Sequence, residues 1–180
     1  MKVAAPEVVL SVNEGAEAEQ VAGFVSRAMA DGVAPAEIGI FVRSRSELAR
    51  ARATVEKARA RVVELSEHHR AETGGAVAIG TMHQAKGLEF KAVAVMACDD
   101  EILPLAARID AVVEESDLDD VFETERRLLY VACTRARDRL LVSAVHPGSE
   151  FIRDLGVEGQ SAIAGDGIAQ RRELRDKTKG

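Results

Sequence analysis

The sequence predicts an α/β domain built on a mostly parallel sheet flanked by helices. Two observations predict it. Several short runs are apolar at every position, as strands covered on both faces are. They alternate with stretches whose apolar residues recur every three to four positions, as helices packed on a sheet do. The 180 residues suffice for one domain, at about 100–200 residues per domain. A domain of that size buries about 70% of its unfolded surface and needs no covalent staples.

The elements follow in order. Val8, Val9 and Leu10 form a first apolar run. Ser11 or Asn13 caps a helix over residues 14–29, with Val21, Phe24, Val25 and Ala28 at helical spacing. Asp31 and Gly32 end it. Ile38 to Val42 (IGIFV) is a buried strand. Ser44 or Ser46 caps a second helix, rich in Ala and Arg, that runs to about residue 60. Residues 61–65 read as a strand and 66–75 as a polar loop ending in Thr-Gly-Gly. Residues 77–80 (VAIG) and 90–97 (FKAVAVMA) are strands, the second the clearest in the chain. Residues 99–120 are acidic and irregular, with Pro104 among them. Residues 121–134 have helical periodicity through Phe122, Leu128, Leu129 and Ala132. Residues 139–145 are a last strand, and 150–155 a short helix. The domain spans residues 1–155. From Gly156 the composition turns to Gly, Ala and charge, so a flexible tail is expected over 156–180.

Charge and composition restrict the function classes. The net charge is −6, and aromatic residues make up 3%, with one Tyr and no Trp. A free-standing nucleic-acid binder carries a basic excess and stacks bases on aromatics. Any nucleic-acid contact is therefore expected at a local site. The longest apolar run, residues 92–98, is too short to span a bilayer. The first residues lack the apolar core of a signal peptide. No membrane association and a cytoplasmic location are the expectations. Cys98 and Cys133 show no CxxC spacing and are expected as free thiols in a reducing compartment.

Ligands of parallel sheets sit at the carboxyl ends of strands. That rule directs attention to the residues after Val42, Gly80 and Ala97, and to the helix ending near Thr134. Arg43 either starts the solvated surface or offers a phosphate its planar fork of donors. Thr81, His83, Lys86, Gly87 and Glu89 crowd the segment between two apolar strands. Thr81 and His83 can donate to an anionic oxygen, Gly87 allows close backbone approach, and Glu89 can accept from a ribose hydroxyl. Glu125 with Arg126 and Arg127 is expected as surface pairing worth a few tenths of a kcal/mol. Arg135 follows a helix with a buried stripe, and Thr134 can hold the turn. A guanidinium on that footing can be aimed at a neighbouring phosphate. Asp99, Asp100 and Glu101 are expected as a loop, and the acidic stretch 110–125 as a solvated loop and helix start.

Together, three segments resemble the second RecA-like domain of superfamily 1 DNA helicases of the UvrD/Rep type, over residues 8–155. AEIGIFVRSRSELAR is similar to motif IV of that family, VAIGTMHQAKGLEFKAVAVMACDDEILP to motif V, and ETERRLLYVACTRARDRLLVS to motif VI. The resemblance implies a RecA-like fold and work on ATP and single-stranded DNA. It implies that Arg43 contacts the ATP γ-phosphate and that Arg135, in Thr-Arg-Ala, is the arginine finger. It implies that Glu89 contacts the ribose, with Lys86 and Gly87 in the nucleotide-facing loop. Thr81 and His83 then lie near the strand and its phosphates. On this view Arg43, Glu89 and Arg135 share one rim.

The pattern is incomplete in informative ways. No G-x-x-x-x-G-K-[ST] occurs, so the triphosphate cradle, with the Mg2+ it serves, is expected on an N-terminal RecA-like motor domain. The chain alone is expected not to hydrolyse ATP. Many relatives carry a tyrosine where Val42 stands, and larger ones insert an accessory domain where residues 66–75 suffice here. An alternative reading is a catalytically silent, helicase-like module that docks on a partner protein. The acidic balance favours it, whereas the presence of Arg43, Glu89 and Arg135 favours the motor.

Overall fold

Runs that are apolar at every position must be covered on both faces, and in the computed structural model they are. It describes residues 5–66 and 74–155. The tail expected over 156–180 and most of the loop at 66–75 lie outside the described residues. Six strands form one sheet: β1 (Glu7–Ser11), β2 (Ile38–Val42), β3 (Val62–Glu64), β4 (Val77–Thr81), β5 (Phe90–Val95) and β6 (Ala136–Val145). Their order is β1-β6-β5-β2-β4-β3, and every neighbouring pair is parallel.

Helices cover both faces. α1 (Glu14–Ala30) and α2 (Leu48–Lys57) lie on one. There Val21, Phe24 and Val25 of α1 and Val55 of α2 pack on Ile38, Ile40 and Ile79. α4 (Glu115–Cys133) and a 3₁₀ turn at Glu150–Leu155 lie on the other, where Leu129, Ala132 and Phe151 meet Phe41, Val93 and Val142. A five-residue α3 (Ala106–Asp110) precedes α4. Cys98 and Cys133 are both buried and free.

The caps and boundaries carry three corrections. Asn13, not Ser11, caps α1: its Oδ1 accepts from the Ala16 amide at 2.8 Å. Neither Ser44 nor Ser46 caps α2. A 3₁₀ turn at Arg45–Glu47 intervenes, and the two serine hydroxyls hydrogen-bond each other at 2.7 Å. α4 begins six residues before the periodicity does. Its first turns (ESDLDD) are largely polar, so no apolar stripe marks them, but their carboxylates favour the positive end of the helix dipole.

Chain direction changes between β2 and β5, which lie side by side. The chain leaves β2 for α2 on one face and leaves β5 for α4 on the other. This is the switch point of the sheet, where a ligand crevice is expected.

Gly39, in β2, leaves room for an aromatic pair. A Cβ there would stand 2.9 Å from the Phe90 ring, which packs edge-on against Phe41 at 5.8 Å. We expect Gly39→Ala to cost about 1–3 kcal/mol through overpacking. The check is a lower urea midpoint at unchanged slope; an unchanged midpoint contradicts the assignment.

Candidate functional site: two edges of one sheet

Position relative to the strands sorts the candidate residues. Arg43 follows β2, Thr81 ends β4, and His83 comes two residues later. Glu89 precedes β5, and Arg135 precedes β6. In an all-parallel sheet, residues that precede strands and residues that follow them stand on opposite edges. The six residues of β5 separate those edges by about 20 Å. The shared rim expected for Arg43, Glu89 and Arg135 therefore does not form. Glu89 and Arg135 stand at one edge and Arg43 at the other, because chain order and strand direction put them there.

Arg43 is 5% exposed, and its guanidinium is engaged within the protein. Nε and Nη2 donate to the two carboxylate oxygens of Glu125, each at 2.6 Å. Glu125 has no exposure and also accepts from the Leu105 amide at 3.2 Å and from Arg108 Nη1 at 2.9 Å. Burial pushes the Glu125 carboxyl up. The Arg43 hydrogen bonds and charge, helped by Leu105 and Arg108, outweigh burial and hold it below the ordinary value. Beside the β2/β5 switch point, the Arg43 guanidinium is thus committed to an ion pair within the protein.

The surface pairing expected for Glu125 is corrected as well. Arg126 instead pairs with Glu123 at 3.1 Å and lies over the Phe151 ring at 4.9 Å. A signal for the burial of Glu125 was present. It stands in phase with Phe122, Leu129 and Ala132 on α4, and a carboxylate within an apolar stripe needs a buried partner. Glu17, in phase with Val21 and Phe24, is the same case. It has no exposure and accepts from the Ala97 amide at 3.0 Å, Ser143 Oγ at 2.8 Å and Arg50 Nε at 2.8 Å. Arg50 Nη1 also donates to Asp99 at 2.8 Å, and Asp99 accepts from the Val145 amide at 2.7 Å. This second network holds α1 and α2 to the ends of β5 and β6.

The carboxyl-end edge has its exposed part around β4. Thr81 is nearly buried, and Gln84 Oε1 accepts from its amide at 2.8 Å and from its hydroxyl at 3.3 Å. Gln84 Nε2 in turn donates to the Leu65 carbonyl at 2.8 Å. Thr81, Gln84, the exposed His83 and Arg45 line a cleft of about 620 Å³. Burial first, then the charge of Arg43, lowers the His83 imidazole below its ordinary value; Glu125 opposes this and Arg108 adds to it. We expect His83 to titrate below 6.5 in an NMR titration and to be neutral at pH 7. A neutral imidazole can still donate one N–H to an anionic oxygen. A midpoint at or above 6.5 contradicts this environment.

The other edge gathers the remaining candidates. Lys86, Gly87 and Glu89 are exposed. Gly87 has φ +80°, in the left-handed region that favours glycine. The Arg135 side chain folds back over the end of α4. Nε donates to the Val131 carbonyl at 3.0 Å, Nη1 to the Leu88 carbonyl at 3.3 Å, and Nη2 to Thr134 Oγ1 at 3.2 Å. The Phe90 amide donates to the Arg135 carbonyl at 3.0 Å. Glu89 therefore sits in a segment clamped on both sides by Arg135. Among the described residues no three His, Cys, Asp or Glu side chains converge on a metal position, and no helix is long and apolar enough to cross a membrane.

Comparison with known proteins agrees with this fold. The family model of the UvrD-like helicase C-terminal domain matches residues 12–146. The chain is 37% identical over 106 residues to the ATP-dependent DNA helicase UvrD1 of Mycobacterium tuberculosis, covering 53% of this chain and 12% of that protein. It is 41% identical over 73 residues to the ATP-dependent DNA helicase PcrA of Staphylococcus epidermidis, covering 41% of this chain and 9% of that one. The chain thus spans about a tenth of the length of these curated relatives. A solved C-terminal domain of a possible DNA helicase from Lactobacillus plantarum superposes with a TM-score of 0.60 at 23% identity, covering 87% of this chain and 83% of that one. That likeness concerns the fold.

Proposed function

Since the chain belongs to the UvrD-like helicase C-terminal domain family, we propose that it is the second motor domain of an ATP-dependent DNA helicase or translocase. In this reading it supplies an arginine finger and part of the ATP and single-stranded DNA sites. The observation that carries the proposal is the clamp at one sheet edge, where Arg135 holds Leu88 and Phe90 on either side of the exposed Glu89. Arg135 neutralises charge on the transferring γ-phosphoryl group, whose loose transition state spreads charge over its oxygens. Glu89 accepts from the ribose hydroxyls, and Lys86 and Gly87 complete the loop beside it. Thr81 and His83, at the opposite edge, contact sugar and phosphate of the strand, which requires no base readout. Arg43, closed onto Glu125, has a structural role in this proposal.

The P-loop and the bound Mg2+ belong to the N-terminal motor domain in this reading. Closure of two domains around ATP, and its release on hydrolysis, alternates the grip on the strand. The cytoplasm is the proposed compartment, which the two free thiols favour. The test is reconstitution. The chain, an N-terminal motor domain of a UvrD-like helicase and single-stranded DNA together should release phosphate from ATP, and neither half alone should. Phosphate release by the chain alone contradicts the proposal. Association with the motor half that ignores nucleotide supports the silent docking module instead.

A further inference from the structure

The two edges are joined by two struts. One is α4, which carries Glu125 eight residues before its last residue, about 12 Å along the axis. The other is the loop of residues 82–89, which runs from the end of β4 to the start of β5. The struts are linked at both ends. At the carboxyl-end edge, the Met82 amide of the loop donates to the Val42 carbonyl at 2.8 Å, next to Arg43, whose guanidinium grips Glu125. At the other edge, the Leu88 carbonyl of the loop accepts from Arg135 Nη1. Bonds therefore run from Met82 through Val42 and Arg43 to Glu125, along α4 to Arg135, and back through Leu88.

Glu125 is the node of that ring. Its two oxygens take four donors from three other segments: Arg43 after β2, the Leu105 amide, and Arg108 of α3. Arg43 is nearly buried, whereas Arg108 is 39% exposed. The node is fixed to a helix whose far end positions the guanidinium.

We propose that Glu125 is a positioning residue: it registers α4 against the strand-facing edge, so that occupancy at Thr81 and His83 is transmitted to Arg135 at the nucleotide-facing edge. The inference rests on the proposed roles of those three residues and adds the physical route between them. A coupling of this kind amounts to a bias on two arrangements of Arg135, folded on Val131 and Leu88 or released from them.

The test reads the Arg135 Nε–Hε NMR signal, which reports directly on the bond to the Val131 carbonyl, in the 15N-labelled full chain. A single-stranded oligothymidylate is the probe. In the unsubstituted chain it should shift the amides of Thr81 and His83 together with the Arg135 side-chain signal. In Glu125→Gln, with a native-like amide spectrum, the Thr81 and His83 shifts should persist. The Arg135 response should fall to about a third or less, the size of a modest coupling energy. If Glu125→Gln does not fold, Arg108→Gln perturbs the same node from its half-exposed side and should give a partial loss. An Arg135 response that is undiminished in both variants overturns the proposal. So does an unsubstituted chain in which Thr81 and His83 respond and Arg135 does not. If the oligonucleotide shifts neither Thr81 nor His83 in the unsubstituted chain, the strand-binding reading itself fails and the inference falls with it.

Discussion

Arg135→Ala should lower DNA-stimulated ATP hydrolysis, in the reconstituted pair of motor domains, by about 10³-fold or more. In the proposed role, charge develops on the γ-phosphoryl oxygens in the transition state, and a guanidinium delivered from the second domain would meet it in a closed, water-poor cleft. Stability should change far less. The three hydrogen bonds that Arg135 donates are partly exposed, so their loss should cost about 1 kcal/mol. Arg135→Lys keeps the charge without the planar fork and should recover only part of the rate. The measurement is steady-state phosphate release with and without DNA, beside a urea unfolding curve for each variant. A loss in kcat below about tenfold contradicts the role, since one removed electrostatic donor already costs more than that.

The second large effect concerns stability. Glu125→Leu should destabilise the chain by about 3–5 kcal/mol, because it leaves Arg43 charged, buried and unpaired. Domains of this kind are stable by about 5–15 kcal/mol, so the variant stands near the limit of folding. Combining it with Arg43→Met should recover most of the loss, since an apolar pair replaces a buried ionic one with little net change. A single substitution that costs less than about 1 kcal/mol, or a double one that costs the sum of the singles, contradicts the ion pair as described. The pH dependence follows. The folded carboxyl lies below its ordinary value of 4.5, so the unfolded chain binds the proton first. The stabilisation is complete above about 4.5 and is lost as pH falls through the lower, folded value. Acid should therefore unfold the native chain more steeply than the double variant.

Much of this architecture is legible in the residues. IGIFV, VAIG and FKAVAV have no polar alternation, and that pattern predicts strands covered on both faces. The first turns of α4 were not legible, because a largely polar helix start has no stripe to read. Arg137 and Asp138 hid the start of β6 in the same way: they are exposed, and they lie between the Ala136 and Arg139 rungs of the ladder to β5, where the register shifts. The placement of the site failed for a different reason. The rule that ligands sit after parallel strands does not reach every candidate. Glu89 and Arg135 precede their strands, and the sequence order alone puts them at the other edge. Glu17 and Glu125 were legible in principle as carboxylates in register with Val21 and Leu129. Read that way, they announce buried networks, and Arg43 becomes a partner rather than a free cation.

Arg135 holds all three of its nitrogens against acceptors of its own chain. A stray nucleotide meeting this edge in isolation must compete with two peptide carbonyls and a hydroxyl already in place. The reward for unfolding that arm comes only when another surface delivers a more strongly anionic acceptor at the right distance. In the proposed motor, turnover would in this way be licensed by assembly, and an idle copy would neither hoard nucleotide nor waste it.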